Sequence, residues 1–157
     1  MRTGKSPPRS SEPSEPRSPL RRLGKLVGTW AIRGRTLDTA QVNIRGMVRI
    51  EWLPGGFLMQ QRSELRVGRI RVRSVEIVGY DSTNKTFPSF VYSNLEDDAL
   101  PYRWEVRGDT IEHAGLGARF TGTFSKDGRT LSGGWRPEPG QKMTAGNTYD
   151  VTMTRVD

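Results

Sequence analysis

The side chains that could carry chemistry are few, and the single histidine, His113, is the only one that ordinarily titrates near neutral pH. The absence of cysteine excludes disulfides and thiolate metal sites, and one histidine excludes zinc sites built from several histidines. His113 could be a hydrogen-bond partner or general base in a cavity, or a structural histidine on a half-exposed strand. Catalysis would need His113 or a buried carboxylate beside aromatic side chains, and the candidate carboxylates are Glu64, Glu76 and Glu105.

No familiar catalytic pattern accompanies these residues. The Gly-x-Ser-x-Gly motif is absent, and no serine or acid stands at a recognisable triad spacing. The acidic stretch 96–98 lacks the spacing of an EF-hand, and the glycine pairs at 55–56 and 133–134 precede no helix that could bind a phosphate. We therefore predict no catalytic residue, no metal site and no cofactor.

The elements that must position these residues are short β-strands. The clearest is the segment 41–52, in which Val42, Ile44, Val48 and Ile50 alternate with mostly polar residues, as on a strand with one dry face. A short helix is predicted over 20–26. The arginine-rich segment 66–73 is interpreted as a solvent-exposed strand end or loop, and the segment 95–100 is interpreted as a solvent-exposed acidic loop. Strands are predicted at 28–36, 41–52, 57–66, 75–80, 86–93, 100–106, 110–114, 119–124, 130–135 and 148–156.

About ten short strands at hairpin spacing indicate a meander, which either closes into a barrel or splits into two packed sheets. Closure removes exposed strand edges. The predicted fold is therefore all-β: a closed antiparallel up-and-down β-barrel of about ten strands with a short N-terminal helical turn. Barrels of this size enclose one small-ligand cavity.

The composition divides the chain into a tail and a barrel. Residues 1–19 are rich in Pro, Ser and Arg and are predicted to be disordered, and residues 20–157 form the barrel domain. Residues 1–22 carry six basic and two acidic side chains, hence +4 of the net charge of +8. Because the remaining excess on the barrel is ordinary, the charge argues against nucleic acid as a partner. Polyanion binding by the tail and the segment 66–73 remains an alternative.

No apolar run is long enough to cross a bilayer, and no apolar signal segment precedes Leu20. We therefore expect a cytoplasmic protein without a membrane span. A homodimer stays an open alternative.

Several segments carry a resemblance to a known family. They are LVGTW (26–30), EWLPGGFLMQQ (51–61), IVGYDSTNKTF (77–87), RFTGTFSKDGRTLSGGW (119–135) and YDVTMTRV (149–156). With the Gly-x-Trp motif on its first strand, the chain resembles the small uncharacterised lipocalin-like barrels of bacteria, in the calycin superfamily of lipocalins and fatty-acid-binding proteins. The resemblance spans residues 23–156, and it implies a lipocalin-like barrel with a cavity but no particular reaction. Nitrobindin-like haem barrels also begin with Gly-Thr-Trp, but their haem-ligating histidine lies in the C-terminal strand region, and residues 136–157 contain none here.

Aromatic side chains are the candidates for contacting a ligand. Trp30 is expected to plug one end of the barrel, while other rings could line its cavity. The predicted ligand-binding residues are Trp52, Tyr92, Tyr102, Trp104, His113, Trp135 and Tyr149. We predict a binding protein for a small hydrophobic or aromatic molecule, with a cavity enzyme such as a cyclase, isomerase or decarboxylase as the alternative.

Overall fold

The structure is a computed structural model and describes residues 19–157, which form a closed antiparallel barrel of ten strands. A 3₁₀ helix, Pro19–Leu26, comes first. Each strand then pairs with its neighbours in sequence, and the last strand pairs with the first. The predicted fold class is confirmed. The strands are β1 (Gly28–Thr36), β2 (Ile44–Trp52), β3 (Met59–Val67), β4 (Ile70–Val78), β5 (Phe87–Ser93), β6 (Glu96–Arg107), β7 (Thr110–Gly115), β8 (Ala118–Phe124), β9 (Thr130–Pro137) and β10 (Tyr149–Arg155).

The alternation of side chains decides which face of each strand lines the interior. In β2, Ile44, Val48 and Ile50 are buried, whereas Arg45 and Arg49 between them are exposed. This is the orientation that the sequence pattern predicts for this strand. Burial of one face of every strand gives one continuous core without an exposed sheet edge.

The N-terminal helix closes one end of the barrel. Leu20, Leu23 and Leu26 are at most 1% exposed, and Trp30 below them is fully buried. The indole N–H of Trp30 donates a hydrogen bond of 2.8 Å to the carbonyl oxygen of Leu26, which satisfies the polar atom of a buried ring. Trp30 thus occupies the closed end of the barrel, as the sequence predicts.

Arg155, at the end of β10, contacts both Trp30 and the N-terminal helix at the closed end of the barrel. Its guanidinium lies 4.2 Å from the ring centroid of Trp30. The same group donates hydrogen bonds to the carbonyl oxygens of Val27 at 2.5 Å and Lys25 at 2.8 Å. The seam between β1 and β10 is therefore held by side-chain contacts in addition to its backbone ladder.

Two strands begin four or more residues before their predicted starts. Strand β6 begins at Glu96, which pairs with Ser93 of β5, so the prediction of an acidic loop over 95–100 was wrong. The acidic side chains of this stretch are exposed, which allows the strand to carry them. Strand β4 begins at Ile70 instead of Val75, because Gly68, with a φ of 60°, makes a tight turn within the arginine-rich segment. The prediction of disorder for 1–19 falls outside the described residues, except for Pro19, which begins the helix.

Candidate ligand-binding site

The barrel encloses a cavity of about 410 Å³. All ten strands contribute lining side chains, and Leu26 of the N-terminal helix forms its floor. Leu95, in the turn between β5 and β6, and Glu96, the first residue of β6, line its other end. Because Leu95 is 58% exposed, the cavity reaches solvent at that end.

A buried carboxylate lies in the wall of this cavity. Glu76 is 1% exposed, and its Oε2 atom accepts hydrogen bonds from Ser89 Oγ at 2.6 Å, Trp104 Nε1 at 3.0 Å and His113 Nε2 at 2.8 Å. Its Oε1 atom accepts one from Gln61 Nε2 at 3.3 Å. We refer to these five residues as the Glu76 cluster. Four donors satisfy the carboxylate, as a buried charge requires.

The strand register brings the cluster together. Glu76 on β4 lies opposite Gln61 on β3, and Trp104 on β6 lies opposite His113 on β7. The rings of Trp104 and His113 are stacked, with centroids 3.8 Å apart and planes at 12°. Ser89, on β5 between these strand pairs, completes the connection. The imidazole is thus held by a ring on one face and a carboxylate at one nitrogen.

The electrostatics of the cluster favour an ionised Glu76. Burial raises the pKa of this carboxyl, but the charge of His113 and the hydrogen bonds from His113, Ser89 and Trp104 lower it, and the pKa ends below its ordinary value of 4.5. A carboxylate can only accept hydrogen bonds, so His113 Nε2 must carry a proton.

The second ring nitrogen of His113 faces the cavity. Within residues 19–157, every fully buried side-chain nitrogen and oxygen has a hydrogen-bond partner, and His113 Nδ1 has none. Nδ1 is therefore open to the cavity. It can accept a hydrogen bond from a ligand when the imidazole is neutral and donate one when it is protonated.

Further aromatic rings surround the imidazole. The ring centroids of Tyr102 and Trp135 lie 5.0 Å and 5.3 Å from that of His113, and Tyr149 packs against Trp135 at 6.3 Å. Burial, followed by the charges of Glu76 and Glu96, raises the pKa of Tyr102. Burial also raises the pKa of Tyr149. Both tyrosines thus keep their hydroxyl protons at neutral pH and can donate hydrogen bonds.

Five of the seven residues predicted to bind a ligand line the cavity: Tyr102, Trp104, His113, Trp135 and Tyr149. The structure places the other two, Trp52 and Tyr92, elsewhere. Trp52 ends β2 beside Gly24 of the N-terminal helix and packs against the core. Tyr92 is 54% exposed on the outer face, because the inward positions of β5 are those of Ser89 and Val91.

Among the candidate carboxylates, only Glu76 is buried. The side chains of Glu64 and Glu105 are 67% and 44% exposed on the outer face. Gln61 and Ser89 are members of the site that were not predicted from the sequence. A signal for Ser89 was present, because it is a polar residue at a position whose alternation partners are apolar.

The described part of the chain contains no group of three or more His, Asp or Glu side chains that could hold a metal ion. No helix in residues 19–157 is long and apolar enough to cross a membrane.

The fold and the cavity define a closed, ten-stranded, up-and-down β-barrel with one polar cluster in an otherwise mainly apolar interior. The chain belongs to a family of proteins of unknown function, DUF1579, whose model matches residues 15–132. None of the curated proteins is significantly similar to it in sequence.

Proposed function

We propose that the protein binds a small, largely apolar or aromatic molecule inside the barrel, with His113 as its polar anchor. The observation that carries the proposal is the cavity of about 410 Å³, whose mainly apolar wall holds the Glu76 cluster with its open nitrogen, His113 Nδ1. This volume lies in the range of about 300–1,000 Å³ that is typical of small-molecule sites. The lipocalin-like resemblance of the sequence supports the same proposal.

The charges around the cavity favour an uncharged ligand. Among residues 19–157, the acids that line it are Glu76 and Glu96, and His113 is the only basic side chain in its wall, which includes no lysine or arginine. A ligand carboxylate would enter near two acids with at most one imidazolium to pair with. A molecule with a neutral hydroxyl or amide group fits better, because Nδ1 and the hydroxyls of Tyr102 and Tyr149 can hydrogen-bond to it.

The first test is native mass spectrometry of the protein purified from its own host, with extraction and identification of any bound molecule. A matched pair of probes, 2-naphthol and 2-naphthoate, then tests the preference for uncharged ligands by calorimetry. We expect 2-naphthol to bind more tightly, and Trp135→Ala to weaken its binding at least tenfold because a wall ring is lost.

The matched control is Tyr92→Ala, which removes an aromatic ring from the outer face and should leave the affinity within twofold. Equal effects of the two substitutions would contradict binding inside the barrel. Absence of any bound molecule in the native protein, together with absence of binding by a library of neutral aromatics and lipids, would overturn the proposal.

A second candidate function, proton transfer within the cavity, is favoured by the contact between Glu76 Oε2 and His113 Nε2 at 2.8 Å. A carboxylate that holds one imidazole nitrogen orients the other toward a substrate and stabilises the imidazolium that forms. The test is hydrogen–deuterium exchange at acidic positions of the identified ligand, measured by NMR. Exchange catalysed by the wild type and lost in His113→Gln, with ligand affinity retained, would support catalysis. Exchange that is unchanged in His113→Gln would refute it.

A further inference from the structure

Four arginines form a row across the outer face of strands β1 to β4. Arg33 lies opposite Arg45, Arg45 opposite Arg66, and Arg66 opposite Arg71. Directly opposed residues of antiparallel strands project from the same face, and all four side chains are exposed. We call these residues the arginine row. Three strand spacings give it a length of about 14 Å.

A second line of residues runs parallel to this row. Arg49 on β2 lies opposite Arg62 on β3, and the line continues through β4 to Tyr92 on β5. Four residues along a strand separate the two lines, which is about 13 Å. Arg62, Arg73 and Tyr92 border one shallow depression on this face. An exposed aromatic ring thus lies beside the arginines.

The arginine row lacks the acidic partners that arginines have elsewhere on the barrel. Arg119 pairs with Glu112 at 2.7 Å and Arg136 pairs with Asp150 at 2.6 Å. No side chain of the row forms an ion pair or hydrogen bond with any residue in the described part of the chain. Like charges directly opposite one another destabilise a sheet. The row therefore opposes folding unless an anion outside the barrel neutralises it.

The folded chain concentrates charge that is dispersed in the sequence. Counted along the chain, the barrel carries a modest excess of positive charge, which was our reason to argue against a nucleic-acid partner. The register collects arginines from four strands on one face, where Glu51 and Glu64 pair with Arg49 and Arg73 and leave the arginine row without an acid. The acids Glu112, Glu138 and Asp150 lie on other strands beside their own arginines. A basic face of this kind is the electrostatic footprint of a polyanion-binding surface.

We propose that this face binds single-stranded nucleic acid. The guanidinium groups of the arginine row would contact successive phosphates, since their planar forks match phosphate oxygens, and Tyr92 would stack on a base. The outer wall of a barrel is convex, so a flexible single strand can follow it over several contacts, whereas a straight duplex touches it at few points. This surface lies outside the barrel, and the proposal is independent of the cavity's ligand.

The test is fluorescence anisotropy of a labelled 20-nucleotide oligo(dT) titrated with the full chain at 50 and 200 mM salt. The test variant replaces all four members of the row by glutamine. The control variant removes the same number of exposed positive charges elsewhere, at Arg21, Arg107, Lys126 and Lys142.

We expect the row variant to bind more than tenfold more weakly at 50 mM salt and the control variant to stay within threefold of the wild type. Each lost phosphate contact reduces the slope of log K against log salt by roughly 0.7, so four reduce it by roughly 2.8. When the salt concentration rises fourfold, from 50 to 200 mM, the factor by which affinity falls should therefore be about 50 times smaller for the row variant than for the wild type. Tyr92→Ala should weaken binding by about tenfold.

Loss of folding does not confound this test, because removing repulsion should leave the row variant at least as thermally stable as the wild type. Equal weakening by the control and row variants would overturn the proposal, since it would show dependence on net charge alone. Equal affinity for a duplex of the same length, stronger binding to phosphatidylserine vesicles, or no binding to the oligonucleotide would each overturn it as well.

Discussion

Replacement of Glu76 by leucine tests whether the polar cluster in the barrel wall stabilises the fold. Leucine has nearly the same volume but accepts no hydrogen bond, so all four donors of the Glu76 cluster lose their partner: Gln61, Ser89, Trp104 and His113. Ser89 can rotate its hydroxyl and neutral His113 can carry its proton on Nδ1 instead, but the indole N–H of Trp104 points only at the vacated position. The substitution therefore removes one partner of a buried network without removing the others.

The expected loss follows from these contacts. The three hydrogen bonds to Oε2, of 3.0 Å or less, contribute about 1.5 kcal/mol each, or about 4.5 kcal/mol in all, and the 3.3 Å bond from Gln61 to Oε1 adds little. Burial of the additional apolar surface of leucine restores roughly 1.5 kcal/mol. The net loss of about 3 kcal/mol lies at the lower end of the ~3–5 kcal/mol that is typical when one partner of a buried pair is removed. In a domain of this size it corresponds to a decrease in Tm of about 6–12 °C.

Urea unfolding followed by tryptophan fluorescence, together with calorimetry, measures this difference. The matched control is Ser63→Ala in the same cavity, which breaks only the neutral hydroxyl pair with Ser74 at 2.6 Å and should cost about 1 kcal/mol. Glu76→Gln, which keeps one acceptor oxygen, should fall between the control and Glu76→Leu. A Glu76→Leu protein as stable as the wild type would refute the reasoning, since the cluster would then make no net contribution to folding.

Three further predictions concern pH, the plug and the closure of the barrel. Because its pKa is lowered on folding, Glu76 contributes stability that is present above its ordinary pKa of 4.5 and is lost as the pH falls through the lower folded value. Urea unfolding from pH about 6 to about 3 should show this loss of stability in the wild type and a flatter pH profile in Glu76→Gln. Parallel pH profiles of the two proteins would contradict the prediction. Trp30→Phe should lower the free energy of unfolding by about 1–3 kcal/mol, because a buried carbonyl of the N-terminal helix loses its hydrogen-bond donor. Amide hydrogen exchange should show faster opening of that helix. Unchanged exchange would show that Trp30 does not anchor the helix. Gly46→Ala should destabilise the barrel by about 2–4 kcal/mol in urea unfolding, because its Cβ would overlap a backbone carbonyl oxygen of β3. Gly108→Ala, in an open turn with a φ of 59°, should cost only about 1 kcal/mol, and equal losses would refute the steric argument.

The fold could be predicted from the sequence because most strands alternate strictly. The segment 41–52 repeats with a period of two, and the turn Pro54-Gly55-Gly56 marks the hairpin that follows it. The start of β6 could not be recognised, because Glu96 and the acids after it resemble a loop in composition. Their strand conformation depends on pairing with β5, which is a property of the neighbouring strand.

The candidate site could be predicted only in part. Alternation separated aromatic positions such as Trp104 and Trp135 from the charged positions between them, and these rings do face the cavity. Alternation alone does not show which face of a strand points into the barrel. For β5 this ambiguity led to the prediction that Tyr92 lines the cavity. The contact between Glu76 and His113 joins strands that are not neighbours, so it depends on the barrel's curvature and stagger, which no local pattern encodes.

The seam held by Arg155 also determines when the barrel can fold. Strand β1 pairs with β10, and the guanidinium of Arg155 binds carbonyl oxygens about as far away in sequence as the described chain allows. Contacts of such long range must be closed at a large entropic cost, so barrel closure is expected to be the slow step. During synthesis, strands β1 to β9 emerge as a curved sheet with an unpaired β1 edge, which only β10 can cover. The last strand is therefore also the element that protects the nascent chain from pairing with its neighbours.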